Sequence, residues 1–218
     1  MPDPASPSSS REKLLDVAEQ LFSDRGYAAI GVHAVATRAG LGKSSLFHHF
    51  PSKALLYAAV LVRVIERIEL GVAPIFGGGG RATEQLEAMV GALVDALAEH
   101  PTSARLLLRS VFEDDDPAVV AACEACGVDR RIQALLGRVR DVVEAGVAAG
   151  EFRPVSVPDL LQTVVGATVF HFASGDFGEQ LFQAPLFTAE SISRRKREVQ
   201  TLLQHGLAPS SRPQGESS

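Results

Sequence analysis

Residues 32–50 read VHAVATRAGLGKSSLFHHF, and this stretch decides the fold of the N-terminal part of the chain. Apolar residues at helical spacing predict a short helix over residues 32–39, and Gly40 permits the sharp turn that follows it. A second short helix is predicted over residues 43–49, because Pro51 disfavours helical geometry at the residue before it. Two short helices joined by a tight glycine turn are typical of a helix-turn-helix, which places its second helix in the major groove of DNA.

The second of these helices carries small polar and cationic side chains opposite its apolar anchors. Leu46 and Phe50 are the anchors expected to hold it against the first helix. The outward side chains can reach phosphates or base edges, and they are Lys43, Ser44, Ser45 and His48. On spacing alone, a helical hairpin inside an ordinary bundle remains an equal alternative, because helix-turn-helix patterns are short and degenerate.

The charge of the chain is distributed unevenly. The formal net charge of the 218 residues is -5, which does not suggest a DNA-binding protein. Residues 1–63, however, carry seven Lys and Arg against five Asp and Glu, whereas the remainder carries 14 against 21. A slightly basic head on an acidic body is expected when only the head contacts a polyanion.

The sequence also indicates where the protein works. Two cysteines cannot build a disulfide framework, which favours a reducing compartment. The N-terminus lacks the features of a signal peptide, and no apolar run reaches the ~20 residues that a membrane helix needs. We therefore expect a cytoplasmic protein without a membrane partner.

Helical periodicity continues beyond the motif, and Pro and Gly residues divide it into segments. We expect a disordered tail over residues 1–8, a DNA-binding domain over 9–56, a helical regulatory and dimerisation domain over 57–206, and a disordered tail over 207–218. The prediction is an all-α fold of about nine to ten helices, beginning with a three-helix helix-turn-helix domain. The individual segments are 9–26 (capped by Ser9), 32–39, 43–49, 53–72, 81–99, 103–114, 117–126, 128–149, 157–174 and 188–206.

The helix predicted over residues 157–174 is apolar around almost its whole circumference. Such a helix must be covered on more than one side. One side can face the chain's own core, and a second copy of the chain is the simplest cover for the other. Together with the last helix it can build a four-helix contact between two subunits, for which the predicted residues are Leu161, Val164, Phe170, Ile192, Val199, Leu202 and Leu203.

Residues 11–63 resemble the DNA-binding domain of the TetR (tetracycline-repressor) family. The stretch reads REKLLDVAEQLFSDRGYAAIGVHAVATRAGLGKSSLFHHFPSKALLYAAVLVR and aligns without a gap. The family's three motifs, A-x-x-L-F…G-Y, A-x-x-A-G and L-Y-x-H-F-x-x-K, correspond here to Ala18, Leu21, Phe22, Gly26 and Tyr27, to Ala36, Ala39 and Gly40, and to residues 46–53. The resemblance implies that DNA is contacted by Lys43, Ser44, Ser45, Phe47, His48, His49 and Lys53.

Two positions depart from the family's pattern. The family usually has Tyr where Phe47 stands, and Phe47 lacks the hydroxyl that donates to a phosphate, which leaves it a packing role. The family also favours Ser or Thr at the cap of the first motif helix, where this chain has Gly31. Both departures predict weaker anchoring on the DNA backbone without loss of DNA binding.

The resemblance further implies a bacterial homodimeric repressor that binds a palindromic DNA operator and is therefore associated with the nucleoid. The two reading helices must lie one DNA turn apart, ~34–36 Å, and a ligand that favours another spacing releases the protein. The implied effector is a small, largely hydrophobic molecule held in the helical body. Its predicted contacts are Leu93, Leu97, Leu108, Val111, Phe112, Val165, Thr168, Val169 and Phe172.

Two other classes of protein compete with this interpretation. A helix-turn-helix regulator without a small-molecule inducer, controlled by a protein partner or constitutive, stays open. A helical enzyme is less favoured, because no catalytic residue, cofactor or metal site is indicated by spacing. His48 and His49 point about 100° apart on a helix, and Cys123 and Cys126 supply only two ligands and are best interpreted as buried or idle thiols. His171, between two phenylalanines, is interpreted as a core or interface histidine.

Overall fold

The computed structural model describes residues 7–76, 78–113 and 116–209, with backbone only for residues 7–9 and 112–113. Within these segments the chain forms eleven helices and no strand, which confirms the predicted all-α class. The helices are α1 (Pro7–Ala29), α2 (Val32–Arg38), α3 (Lys43–His49), α4 (Lys53–Phe76), α5 (Ala82–Glu99), α6 (Pro101–Glu113), α7 (Pro117–Cys126), α8 (Val128–Ala148), α9 (Val157–Ala173), α10 (Gly175–Phe182) and α11 (Ala189–Leu207).

The first three helices and the start of α4 enclose one apolar cluster. The predicted anchors of α3, Leu46 and Phe50, are 0% and 3% exposed and pack there with Val35 of α2. Full burial of side chains of this size stabilises the fold by about 1.5–3 kcal/mol each. Gly40 adopts a φ of +70° in the turn between α2 and α3, as the motif requires.

A break in α1 occurs at Gly26, where the sequence predicts the end of a helix. Its φ of 78° and ψ of 167° lie in a region that essentially only glycine adopts. The chain then forms one more helical turn, to Ala29, instead of leaving the helix. This turn directs Tyr27 onto Phe22 and Tyr57, with ring centroids 6.1 and 5.2 Å away.

The same apolar cluster continues through α4 into the rest of the molecule. Buried residues of α4, including Val64, connect the N-terminal helices to Leu106 on α6, Val119 on α7 and Val128 on α8. Two smaller clusters complete the core. One lies between α5, α8, α9 and α11, and the other chiefly between α5, α6 and α9.

Two helix ends differ from prediction. α1 begins at Pro7, so Ser9 lies inside the helix and is not its N-cap. α4 continues through Pro74 to Phe76, although a proline there predicts a loop. A proline in the last turn is tolerated because only a few backbone hydrogen bonds remain to be made beyond it.

Helix α10 was not predicted. Its glycines indicate a loop in the sequence, but Gly178 allows a close contact inside the fold. A Cβ atom at Gly178 would lie 2.1 Å from the Ser174 hydroxyl oxygen and 3.0 Å from Leu186. Glycine is therefore required there for packing, and the short helix that it belongs to connects directly to α9.

Candidate DNA-binding interface

The predicted reading residues lie together on one outward surface of α3. Lys43 and Phe47 are four residues apart on α3, as are Ser44 and His48, so each pair lies along one side of the helix. Of the predicted set, Lys43, Ser44, Phe47 and His48 are exposed, whereas Ser45 and His49 are half-buried at the edge of this face. The structure therefore presents two cationic or titratable groups and one hydroxyl on the surface opposite Leu46 and Phe50.

Phe47 lies beside a cationic side chain on this surface. Its ring is 37% exposed, and the Lys43 ammonium lies 5.6 Å from the ring centroid. A cation at this distance from an aromatic face is attracted to it. Phe47 stands where the family carries a tyrosine, and its ring therefore helps to hold the Lys43 side chain in place.

Neither motif helix has a side-chain cap. Gly31 is the N-cap of α2 and Gly42 is the N-cap of α3, both in extended geometry and neither with a side-chain hydrogen bond. Lack of space does not explain why position 31 is a glycine, because no atom lies within 4 Å of a Cβ built at Gly31. By contrast, α4 is capped, since the Ser52 hydroxyl accepts a hydrogen bond from the Leu55 amide at 3.1 Å.

Lys53 is held against the end of α1. Its ammonium donates to the Ala28 carbonyl at 3.3 Å and lies 4.0 Å from the Tyr27 ring centroid. Burial lowers the pKa of Lys53, and the charge of Asp116 opposes that shift. A lysine has three N–H donors, so this arrangement fixes the position of the ammonium and leaves donors for a phosphate.

The two adjacent histidines differ in exposure. Their ring centroids are 5.3 Å apart, with His48 exposed and His49 half-buried against Phe50. In the part of the chain that the structure describes, no group of three or more His, Cys, Asp or Glu side chains could hold a metal ion.

A buried ion cluster that was not predicted from the sequence joins the DNA-binding helices to the body. Glu19 of α1 accepts hydrogen bonds from Arg63 at 2.5 Å, Arg67 at 2.7 Å and Thr102 at 2.6 Å. Its side chain is 6% exposed. Burial raises the pKa of Glu19, but the hydrogen bonds from Arg67 and Thr102 and the charges of both arginines outweigh it and leave that pKa below its ordinary value.

The signal for this cluster was present in the sequence. Arg63 and Arg67 are four residues apart on one face of α4, and Glu19 falls among the apolar residues of α1. Thr102 belongs to α6, so α1, α4 and α6 meet at a single carboxylate. Only the fold could show that these three helices converge.

Most of the predicted effector contacts lie in or beside one packed cluster. Leu93, Leu97, Leu108, Val169 and Phe172 belong to the cluster of α5, α6 and α9, and Thr168 is fully buried on α9. Val111 and Val165 are 74% and 40% exposed and do not point into this cluster. The side chain of Phe112 lies outside the described part of the chain.

Two open cavities lie elsewhere, along the other side of α8. The first, about 450 Å³, is bounded by α4 and α8, and the second, about 520 Å³, continues towards α5. Phe76 and Arg138 line both, and the Arg138 guanidinium lies 5.1 Å from the Phe76 ring centroid. None of the predicted effector contacts lines either cavity. We call this pair of cavities the α4–α8 groove.

The predicted dimer contacts divide into two sets. Val199 and Leu203 are 4% and 9% exposed and pack with Val164 in the cluster of α5, α8, α9 and α11, whereas Ile192 packs against the neighbouring cluster. These four side chains are thus largely occupied within the chain. Phe170 and Leu202 are 51% and 70% exposed, and Leu161 is half-buried.

An all-α chain with a helix-turn-helix at one end and a larger helical body belongs to the class of DNA-binding transcriptional regulators. The family model described as "Bacterial regulatory proteins, tetR family" matches residues 14–60, and "Tetracyclin repressor-like, C-terminal domain" matches residues 83–203. The chain belongs to the TetR family. Members and relatives of this type are DNA-binding regulators, not enzymes.

Curated relatives include both activators and repressors. The HTH-type transcriptional activator FasR of Mycolicibacterium smegmatis is 38% identical over 123 residues, 53% of this chain and 54% of FasR. The HTH-type transcriptional repressor KstR2 of Rhodococcus jostii is 30% identical over 152 residues, 69% of this chain and 72% of that repressor. The match thus spans about half the length of FasR and nearly three quarters of KstR2.

Solved structures share the fold across most of the chain. The ketosteroid transcriptional regulator KstR2 of Mycobacterium tuberculosis has a TM-score of 0.71 at 20% identity, covering 91% of this chain and 94% of that one. The fatty acid degradation regulator FadR of Bacillus halodurans has a TM-score of 0.69 at 15% identity, covering 90% and 98%. Among the described helices, none has the combination of length and apolar character that a membrane-spanning segment requires.

Proposed function

We propose that this protein is a homodimeric repressor that reads a palindromic operator through α3 and is released by a small, largely hydrophobic effector. The observation that carries the proposal is the outward surface of α3. Lys43, Ser44 and His48 are exposed there, while Leu46 and Phe50 fix the helix from behind. Small polar and cationic groups on a firmly held helix are suited to reading base edges in the major groove.

We assign the proposed functions to separate segments of the chain. Residues 9–56 bind DNA, residues 57–206 form the regulatory and dimerisation body, and the flanking segments 1–8 and 207–218 are tails, most of which lie outside the described residues. α4 connects the two parts, and the Glu19 cluster ties the first helix of the DNA-binding part to α4 and α6. A shift of α6 or α4 on effector binding would therefore move the reading helices.

Exposed apolar side chains on α9 and α11 support the proposed homodimer. Phe170 and Leu202 are large and more than half exposed, and a second copy would cover them symmetrically. The chain's kinship with bacterial transcription regulators supports action in the cytoplasm, at the nucleoid.

The direction of regulation and the effector are the parts that need direct tests. Repression is proposed because KstR and KstR2 relatives are repressors, although FasR is an activator. A thermal-shift screen of small apolar molecules tests the effector. If operator binding persists while no molecule raises the melting temperature or weakens DNA binding, a regulator without an inducer takes the place of this proposal.

The decisive experiment is selection of bound sequences from a random DNA pool, repeated at several salt concentrations. A palindromic consensus is expected, with affinity falling steeply as salt rises because phosphate contacts release counterions. Recovery of no consensus would overturn the proposal. Recovery of an asymmetric half-site would preserve DNA reading and overturn the symmetric dimer.

A further inference from the structure

One side of α8 lines the α4–α8 groove along most of the length of the helix. Residues 131, 134, 135 and 138 line the first cavity, and residues 138, 141, 142, 145 and 149 line the second. Spacings of three and four residues place these side chains on one side of a helix. At a rise of about 1.5 Å per residue, the distance from residue 131 to residue 149 is about 27 Å. The groove is therefore long enough to hold an extended molecule.

The walls of the first cavity are chiefly apolar. Leu70, Ala73 and Phe76 contribute from α4, and Ala134 and Leu135 contribute from α8. Leu70 is 73% exposed and Phe76 is half-buried, so a bound molecule removes apolar surface of both side chains from water. That transfer is favourable and roughly proportional to the area covered. The walls thus favour a ligand with an apolar body.

Ion pairs occupy the charged groups at one end of the first cavity. Arg131 of α8 donates to Glu66 at 2.9 Å and to Glu69 at 2.6 Å, and both acids belong to α4. These charge-assisted hydrogen bonds hold α8 against α4. The cation at this end of the groove therefore already has its counter-charge.

The acids that line the second cavity also have partners. Asp141 lies 3.2 Å from Arg140, and Glu151 accepts hydrogen bonds from the amide and the hydroxyl of Thr83, both at 3.0 Å. None of these acids forms an ion pair with Arg138, which lines both cavities.

Arg138 is an unpaired cation between the two cavities. It has no ion pair or hydrogen bond to any residue that the structure describes. Its guanidinium lies 5.1 Å from the centroid of the Phe76 ring. Attraction to the ring holds the cation in place but supplies no oxygen atom to its five N–H donors. The groove therefore presents a positioned set of donors beside an apolar wall.

A carboxylate matches these donors. The planar guanidinium can donate two parallel hydrogen bonds to the two oxygens of one carboxylate, and such charge-assisted bonds are stronger than neutral ones. An organic cation is disfavoured, because Arg138 already lies beside the Phe76 ring and repels a like charge. A small inorganic anion would leave the apolar walls uncovered.

We propose that the α4–α8 groove binds an apolar organic acid, whose carboxylate pairs with Arg138 and whose apolar body lies against Phe76 and Leu70. The inference rests on the proposed function in assigning this acid as the effector, and it deepens that function by naming the chemical class of the ligand. Arg67, which donates to Glu19, precedes Leu70 by three residues on α4. A ligand that moves α4 relative to α8 therefore acts on the helix that carries the Glu19 cluster.

A series of head groups tests the class of ligand. Octanoate, 1-octanol and octyltrimethylammonium have the same alkyl chain and differ in charge. By isothermal titration calorimetry at pH 7.5, octanoate should bind the unmodified protein with a Kd about tenfold lower than either of the other compounds. The expected factor is that of one good hydrogen-bonded charge pair.

Variants of Arg138 locate the binding site. Arg138→Gln should raise the Kd of octanoate to that of 1-octanol, and Arg138→Lys should retain part of the preference because it keeps the charge but loses the planar pair of donors. Arg130→Gln makes the same charge change at an exposed position of α8 that lines neither cavity, and it should leave the tenfold preference unchanged. Circular dichroism should show equal helix content in all variants, and the head-group series on the unmodified protein stands without them.

The outcomes separate this inference from the proposed function. No detectable binding of octanoate at millimolar concentration, equal affinity for octanoate and 1-octanol, or tighter binding of octyltrimethylammonium would overturn the inference. A preference for octanoate that survives Arg138→Gln would also overturn it, because the acid would then bind elsewhere. Binding through Arg138 that leaves operator affinity unchanged would preserve the site and overturn its assignment to the effector. The proposed repressor is tested independently, because the calorimetry requires no DNA.

Discussion

At the scale of single residues, the outward surface of α3 and the N-terminus of α4 should contribute to DNA binding in different ways. Lys43 and His48 are exposed where base edges can be reached, so Lys43→Ala or His48→Ala should change preference at particular base pairs by ~1–3 kcal/mol. Comparison of selected consensus sequences measures this. If both variants retain the original consensus, α3 does not read bases through these residues.

Lys53 should act on all sequences alike. Its ammonium is fixed by Ala28 and Tyr27 in a position suited to a phosphate. Lys53→Ala should therefore weaken binding uniformly and reduce the slope of log affinity against log salt by about one. A titration over a salt series on two unrelated DNA sequences checks both effects, and a change of consensus would contradict the phosphate role.

The glycines at the two ends of α2 should respond oppositely to the same substitution. Gly31 has a φ of -91° and Gly40 a φ of +70°, while neither has an atom within 4 Å of a built Cβ. Gly31→Ser should stabilise the protein by a few tenths of a kcal/mol through a new cap. Gly40→Ser should destabilise it by about 1–2 kcal/mol, because a side chain disfavours that backbone geometry.

Urea unfolding measures both changes, and each variant is the other's control for the added hydroxymethyl group. Equal changes in unfolding free energy for the two variants would show that backbone geometry does not distinguish the two sites. Gly31→Ser should also tighten binding to all DNA sequences if its hydroxyl reaches a phosphate.

Phe47 offers the converse experiment, a gain of a polar atom on the reading surface. Phe47→Tyr restores the hydroxyl that the family usually has at this position, and the ring is already partly exposed. One added hydrogen bond to a charged phosphate should tighten binding by about 1.5 kcal/mol on every sequence. Electrophoretic mobility shifts on specific and random DNA test this, and a gain on the operator alone would instead indicate base reading.

At the scale of secondary-structure elements, the Glu19 cluster should hold α1, α4 and α6 in one arrangement. Glu19→Gln removes the carboxylate that Arg63 and Arg67 share, although Arg63 keeps its ion pair with Asp16 at 2.7 Å, and should cost about 2 kcal/mol of unfolding free energy. This expected loss of stability is smaller than that for breaking a fully buried ion pair, because Arg63 and Arg67 are 15% and 23% exposed. Asp16→Asn, which removes a carboxylate that is 68% exposed, should cost under about 1 kcal/mol.

The sign of the pH dependence follows from the lowered pKa of Glu19. The stability that this carboxylate contributes is present above its unfolded-state pKa and is lost as pH falls through the folded-state pKa. The difference in unfolding free energy between the native protein and Glu19→Gln should therefore be largest at pH 7. It should become smaller towards pH 4 and below. A difference that grows on acidification would contradict the ionised state of Glu19.

Helix positions could be predicted where local chemistry decides them. The motif is defined by Gly40, Pro51 and the apolar spacing of α2 and α3. The bounds of those two helices were therefore predicted almost to the residue. α10 was missed because its glycines serve a tertiary contact that the local sequence does not encode. The extra turn after Gly26 depends likewise on Tyr27 packing against Phe22 and Tyr57.

At the scale of the whole molecule, the two locations for an effector can be separated with an apolar anionic dye. In the α4–α8 groove the Arg138 guanidinium lies beside the Phe76 ring, whereas Arg131 is already paired with Glu66 and Glu69, so 1-anilinonaphthalene-8-sulfonate should bind at Arg138 and Phe76 and fluoresce. Ala134→Trp should abolish this signal by filling the groove. Ala125→Trp, on an exposed position of α7, is the control and should leave it intact.

The competing location is the packed cluster around Leu97 and Phe172. Dye binding that survives Ala134→Trp but is lost in Leu97→Trp would favour the effector contacts predicted from sequence. Displacement of the dye by hits from a thermal-shift screen would then report effector binding directly.

The exposed surface of α3 was more predictable than the packing of the body because it depends on contacts close in sequence. The side chains proposed to read DNA lie within six residues on one helix, and their exposure follows from helical periodicity. The body is different, since apolar periodicity shows that Val199 and Leu203 are buried but not what buries them. Residues that line the α4–α8 groove, such as Leu70 and Leu135, come together only through the packing of α4 against α8.

The continuous apolar cluster that runs from α1 through α4 to α6, α7 and α8 has a consequence for building chimeric regulators. A DNA-binding part cut away after residue 56 would lose Val60, Val64 and Ile65 and expose the side chains that they cover. It is therefore not an independently folding domain that can be exchanged between regulators. A fusion that gives this reading helix to another sensor must carry α4 with it and rebuild the contacts of α4 with α6 and α7, or the transplanted part will lack a complete core.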